Sequence, residues 1–109
     1  MKKKMIYTTT PDVPGREITE ILGVITGNVV QSKHVGRDIM AGFKTIIGGE
    51  IKSYTDMLTE ARHIAISRLV EEALKLDADA VVNLRFTTSS IMSGSSEILA
   101  YGTAVKLKS

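Results

Sequence analysis

The stretch from Ser53 to Leu76 constrains the fold most, because it predicts a long helix, capped by Ser53 or Thr55, with an unusually wide apolar surface. Projected at about 100° per residue, its apolar positions cover an arc of about 240°, whereas a surface helix needs a stripe little wider than about 100°. One small sheet cannot cover that arc, so we expect a second partner, most simply another subunit. The apolar positions are Met57, Leu58, Ala61, Ile64, Ala65, Ile66, Leu69, Val70, Ala73 and Leu76.

Strand patterns lie on both sides of this helix. Residues 4–9 predict a short strand and residues 17–31 a long one. Residues 80–87 alternate with a period of two, residues 89–96 predict a turn, and the last strand follows up to residue 107. Apolar spacing indicates a short helix over 36–47. We therefore predict an α+β domain over residues 1–109, in which a small antiparallel sheet packs against one long helix, with a short helix beside them.

Small residues recur on single strand faces. Gly23 and Gly27 share one face of the long strand, and Ala100, Gly102 and Ala104 share one face of the last strand. Glycine inside a strand usually marks a bend or a close approach of another element. We expect tight packing at these positions and interpret the small-residue face, with the wide helix face, as oligomer contacts.

Composition excludes several classes of function. The chain has no cysteine, which excludes disulfides, thiolate metal sites and cysteine nucleophiles and suits a reducing cytoplasm. Its 14 Lys and Arg against 12 Asp and Glu give a formal charge of +2, with no basic face for nucleic acid. No apolar run approaches the ~20 residues that span a bilayer. We expect a cytoplasmic protein whose partner is itself, not nucleic acid or a membrane.

Six phrases occur in the chain in this order: Pro14-Gly15 before Glu17-Ile18, GVITGNVV at 23–30, GGEI at 48–51 with Tyr54-Thr55, Ala61-Arg62 with Ala65, ADAVV at 78–82, and AYGTAV at 100–105. Together they resemble the YbjQ-like family of small bacterial and archaeal proteins, often labelled "putative heavy-metal-binding". The resemblance spans essentially the whole chain and implies a dodecin-like subunit that assembles into a ring, expected to be a pentamer. Where relatives tend to have glycine, this chain has Asp77, which would cost more in a left-handed conformation.

A metal site has little support from residue types. Imidazole comes only from His34 and His63, in different elements, and soft metals prefer sulfur ligands. Glu60 and His63 lie three residues apart on the polar strip of the long helix, so both could reach one ion. A ring could repeat that pair by symmetry, but a solvated helix face is the favoured interpretation.

Catalytic motifs are lacking too, and Asp77 and Asp79 are interpreted as turn formers. Arg62 and Glu72 fall inside the apolar arc, where an interface ion pair is favoured over a ligand contact. Glu50, after Gly48-Gly49, could belong to an anion-binding nest, although a tight turn is favoured.

We therefore predict a non-catalytic homo-oligomeric assembly or binding protein with no cofactor and an unidentified ligand. The alternatives are a metal-binding protein that uses Glu60 and His63, an enzyme with a pocket that groups Arg62, Tyr54 and a carboxylate, and a flavin store. Flavin stacking would depend on Tyr54, Tyr101 or a phenylalanine.

Overall fold

A computed structural model describes residues 4–32, 52–92 and 94–109. Its elements are β1 (Ile6–Tyr7), β2 (Ile18–Ser32), α1 (Lys52–Lys75), β3 (Ala80–Met92) and β4 (Ser95–Leu107). The α+β class and the order of these elements are confirmed, and the short helix expected over 36–47 lies outside the described residues. No helix in the described ranges is long and apolar enough to cross a membrane.

The four strands form one sheet in the order β1-β3-β4-β2. β4 pairs antiparallel with both β2 and β3, whereas β1 runs parallel to β3 through Ile6↔Ala80 and Tyr7↔Val81. The predicted all-antiparallel sheet is therefore wrong at β1, and the sheet is mixed. A two-residue strand offers no alternation of side chains from which its direction could be inferred.

Helix α1 packs mainly on β2 and β4 and touches β3 little. The helix presents Ala61, Ala65, Leu69 and Ala73, all fully buried, as a straight stripe at a spacing of four residues. Opposite this stripe lies Gly27, where a Cβ atom would meet the backbone oxygen of Ala65 and the backbone nitrogen of Leu69. The tight packing predicted at Gly27 is thus confirmed.

The small-residue face belongs to the subunit's own core. Ala100 and Ala104 are fully buried in the cluster that contains the helix stripe, and a Cβ at Gly102 would meet the side chain of Val81. The interpretation of this face as an oligomer contact is therefore wrong, because α1 and β3 cover it. Gly23 has nothing within 4 Å of a Cβ; its φ of 140° instead marks an irregularity in the pairing of β2 with β4.

A second apolar cluster lies on the sheet face opposite the helix. It holds Val13, Ala80, Val82, Val105 and Leu107, with Val13 supplied by a turn that Arg16 N–H closes onto the Val13 carbonyl at 3.0 Å. This turn covers only one end of that face.

The alternation predicted for β3 breaks inside the strand. Val82 joins the second cluster and Leu84 joins the helix-side cluster, although the two are only two residues apart. Between them Asn83 has a φ of 54°, and the pairing with β4 shifts between Val82 and Arg85. This bulge turns the rest of the strand over, so that Leu84 and Phe86 face the helix side.

Helix α1 ends in a Schellman motif. Ala78 N–H donates to the Ala73 carbonyl and Asp77 N–H to the Leu74 carbonyl, each at 3.0 Å, with Asp77 at a φ of 58°. The left-handed conformation expected there is confirmed. The predicted caps at the other end are wrong, since both Ser53 and Thr55 lie inside the helix.

The close approach at Gly27 predicts a large effect of one methyl group. We expect Gly27→Ala to lower the free energy of unfolding by at least about 1–3 kcal/mol, because the added carbon meets backbone that must move. Thr26→Ala, exposed on the other face of β2, is the control and should cost less than about 1 kcal/mol. The measurement is urea unfolding at fixed protein concentration. Equal losses in both variants would contradict this account of the packing.

At the helix end we expect Asp77→Gly to raise the free energy of unfolding by about 0.5–1 kcal/mol, because glycine adopts positive φ without strain. The change removes an exposed ion pair to Lys106 at 3.3 Å, worth about 0–1 kcal/mol. Asp77→Ala removes the same ion pair but keeps the Cβ atom. Chemical denaturation of the two variants should therefore find the glycine variant the more stable; the reverse order would exclude backbone strain as the cause.

Candidate functional site

A cavity of about 600 Å³ lies where α1 leaves β3 uncovered. The first half of the helix forms one wall, and side chains on the helix side of β3 and β4 form the floor. The cavity is lined by Gln31, Met57, Leu58, Arg62, Phe86, Thr88, Ser90, Gly94, Ser95, Ser96 and Ile98.

Among the described residues that line the cavity, Arg62 is the one with a charged side chain. Its position follows from the helix period, since it is one residue past the buried Ala61 and therefore lies at the border of the stripe that contacts the sheet. Its Nη2 donates one hydrogen bond, to Thr59 Oγ1 at 3.3 Å. Within the described ranges no carboxylate lies within ion-pair distance of this guanidinium.

The floor of the cavity is half apolar and half polar. Phe86, Thr88 and Ser90 follow one another at every second position of β3 and therefore share its helix-side face. Ser96 and Ile98 lie beside them on β4, through the pairs Ser90↔Ser96 and Thr88↔Ile98. Phe86 and Ile98 thus offer apolar contact next to a row of hydroxyl groups.

Sequence reasoning named Arg62 as a candidate, with an interface ion pair favoured over a ligand contact, and missed this floor. Residues 89–96 are mostly strand, because β3 continues to Met92 and β4 begins at Ser95, and the turn lies in the middle of the predicted range, where Gly94 has a φ of 82°. The missed signal is the every-second-residue series Phe86, Thr88, Ser90, which extends the strand although serine favours turns.

Glu72, predicted with Arg62 as a candidate ligand or interface residue, does not join it within the described residues. Glu72 is ten residues further along the same helix, about 15 Å along its axis. It accepts a hydrogen bond from Lys75 Nζ at 2.8 Å, and this bond with the attraction of the carboxylate raises the pKa of Lys75 above its ordinary value. Tyr54 lies in the first turn of α1, with its side chain outside the described part, and Glu50 lies outside the described residues altogether.

Asp77 and Asp79 act as the turn formers that the sequence predicts. Asp77 holds the left-handed helix end, and Asp79 Oδ2 accepts the backbone N–H of Leu107 at 2.8 Å. Both carboxylates therefore tie the end of α1 to β4, far from the cavity.

The metal candidates Glu60 and His63 are both exposed on α1. Among the described residues, no group of three His, Cys, Asp or Glu side chains lies close enough together to hold an ion. His34 lies outside those residues. Two exposed donors without sulfur do not fit a soft-metal site, so the described part of one subunit does not fit a heavy-metal centre.

The aromatic residues proposed to hold flavin are split between the two faces of the sheet. Phe86 pairs with Ala100 and faces the helix side, whereas Tyr101, the next residue along β4, faces the opposite side. Phe86 and Tyr101 therefore cannot sandwich one ring within this chain, whereas Phe43 and the side chain of Tyr54 lie outside the described part.

Comparisons with known proteins agree with one another. The family model described as "Putative heavy-metal-binding" matches residues 5–108. A UPF0145 protein of Vibrio campbellii is 73% identical over 103 residues, which cover 94% of this chain and 99% of that protein. A UPF0145 protein of Thermotoga maritima is 66% identical over 104 residues, covering 95% and 98%. A crystal structure of a DUF74 family protein of unknown function from Pediococcus pentosaceus has a TM-score of 0.64 at 18% identity, covering 95% of this chain and 98% of that one, and so shares the fold. The chain belongs to the YbjQ-like family, UPF0145.

Proposed function

We propose that this protein is a non-catalytic binding module that works as a ring of identical subunits. The observation that carries the proposal is the outer edge of β2, a 15-residue strand with no neighbour on that side in the described part of the chain. A long, unprotected strand edge is a template for pairing with another chain.

The exposed apolar side chains of β2 favour an assembly in which another copy covers this strand. Val24 is 76% exposed, Ile21 72% and Val30 54%, although all three are large and apolar. At about 25 cal/mol per Å² of apolar surface, burying such side chains stabilises an interface by about 1 kcal/mol or more each. Some protection comes from Arg68, whose Nη1 donates from the helix to the Asn28 carbonyl at 2.6 Å.

A second free edge lies on the other side of the sheet. β1 pairs with only the first two residues of β3, so from Phe86 to Met92 no described strand borders the outer side of β3. Ile91 and Met92 are exposed there. Two different free edges suit a heterologous contact, in which β2 of one copy meets β3 of the next. Contacts of this type generate rings when the rotation closes.

The helix adds apolar surface to the same proposal. Leu58 and Leu76 in the arc are exposed, so the sheet covers only part of the wide arc, and Leu74 adds exposed apolar surface outside it. The dodecin-like architecture and the count of five subunits come from the family resemblance, and the cytoplasm remains the expected compartment of a cysteine-free chain.

Native mass spectrometry of the untagged protein, purified without chelator, tests the assembly. We expect a pentamer of about 59 kDa, five times 11.8 kDa, and expect Val24→Lys to give a folded subunit of 11.8 kDa, because lysine on an edge strand opposes pairing. Ser67→Lys adds the same charge on the polar strip of α1 and should keep the ring. A monodisperse wild-type monomer would refute the assembly, and a Val24→Lys ring would refute the β2 contact.

The family description favours one rival, in which Glu60 and His63 bind a metal ion repeatedly around the ring. We expect Zn²⁺ to shift the thermal unfolding temperature of His63→Ala as much as that of the wild type, because two exposed donors make a weak site. The measurement is thermal unfolding with and without excess Zn²⁺ after dialysis. A shift that His63→Ala abolishes and Ser67→Ala retains would favour the metal-binding rival.

A further inference from the structure

We propose that the cavity beside α1 binds an amphipathic monoanion: a small molecule with one carboxylate or sulfonate head on an apolar body. This inference deepens the binding role in the proposed function by naming the ligand class. It rests on the charge, the shape and the lining of the cavity, and each points to a different part of the ligand.

The charge in the cavity lining indicates the head group of the ligand. Arg62 is permanently cationic and lines the cavity, and among the described residues its one hydrogen-bond partner is the neutral hydroxyl of Thr59, at 3.3 Å. No carboxylate among the described residues neutralises it. The planar guanidinium presents paired N–H donors that match the two oxygens of a carboxylate or sulfonate. Arg62 is exposed, so an anion in the cavity would replace water as the partner of its guanidinium.

The apolar lining indicates the body of the ligand. Met57 and Leu58 on the helix face Phe86 and Ile98 on the sheet across the cavity. Leu58 and Phe86 are exposed in the subunit, so a ligand would remove their apolar surface from water. The volume of about 600 Å³ falls within the range of about 300–1,000 Å³ that small-molecule sites occupy. A bare ion such as chloride or inorganic phosphate would leave these contacts unmade.

The hydroxyl groups indicate how the ligand is oriented. Thr88, Ser90, Ser95 and Ser96 line the hairpin side of the cavity and Gln31 lines the β2 side. These uncharged donors can satisfy polar groups of the ligand without a second charge. Within the described part of the lining, Arg62 alone carries a charge, so this part of the site matches one negative charge rather than two.

The proposed assembly and the proposed ligand use different groups of the same region. Strand pairing joins the backbone edges of β2 and β3 in the plane of the sheet, whereas the ligand contacts side chains on the helix-side face. Val24→Lys therefore tests the pairing and Arg62→Gln tests the binding, because Val24 does not line the cavity and Arg62 is not on a strand edge.

The first test uses the fluorescent sulfonate 1-anilinonaphthalene-8-sulfonate as the probe and decanoate as its competitor. We expect saturable binding of the probe, with displacement by decanoate at least about tenfold more effective than by the uncharged 1-decanol. Equal displacement by both would overturn the assignment of the charge.

Variants then locate the site. Arg62→Gln should weaken probe and decanoate binding about tenfold or more, because a hydrogen-bonded charge is lost, and Arg62→Lys should weaken it less. Ser90→Trp should abolish it by filling the cavity. Arg16→Gln is the matched control; this exposed arginine donates to the Lys108 carbonyl at 3.4 Å, away from the cavity, and its loss should change nothing. Wild-type affinity in Arg62→Gln or in Ser90→Trp would overturn the proposal.

Native mass spectrometry of the same variants separates the two proposals, and circular dichroism verifies that each variant is folded. A ring without Arg62-dependent binding would overturn this inference and leave the assembly intact. A monomer that binds decanoate through Arg62 would overturn the assembly and support the site.

Discussion

The contact of α1 with Gly27 is the constraint on which the rest of the subunit depends. Because residue 27 has no side chain, the helix backbone at Ala65 and Leu69 can lie directly on β2. Three alanines and one leucine, the buried stripe of α1, hold the helix in this position over β2. It therefore covers β2 and β4 and leaves β3 bare on the same face. The cavity is the space that this off-centre position leaves.

The same position explains why the subunit keeps so much apolar surface. A helix lying centrally over four strands would bury a wider part of its arc, but this one buries a single stripe and leaves three leucines exposed. The second apolar cluster covers only one end of the opposite face of the sheet. Both long outer strands thus keep free edges in the described part of the chain. A small domain of this kind gains stability from assembly more readily than from a larger core of its own.

Local rules predicted much of this fold and little of the site. Helical spacing located α1 to within a residue at each end. Backbone chemistry indicated that Asp77 can adopt a left-handed conformation and that another element packs tightly at Gly27. The bulge at Asn83 was missed, because a regular alternation of side chains runs through it although the backbone reverses its faces. The cavity could not be predicted, since the meeting of Arg62 with Phe86 depends on which strand the helix lies over. The strand on which the helix lies is determined by tertiary packing, and neither the helix sequence nor the strand sequence indicates it.

In the proposed ring, the free edges and the cavity would become parts of one geometry. Cyclic symmetry puts every helix on the same side of the shared sheet. If β2 of the next copy lies beside β3, its helix stands three strands away from the first, about 14 Å at about 4.8 Å per strand. Two helices of about 10–12 Å diameter would leave a slot of at most about 4 Å between them, close to the thickness of an alkyl chain or an aromatic ring. Each cavity would then gain its second wall from the neighbouring subunit, so that a ring offers one identical slot, each with its own Arg62, at every junction.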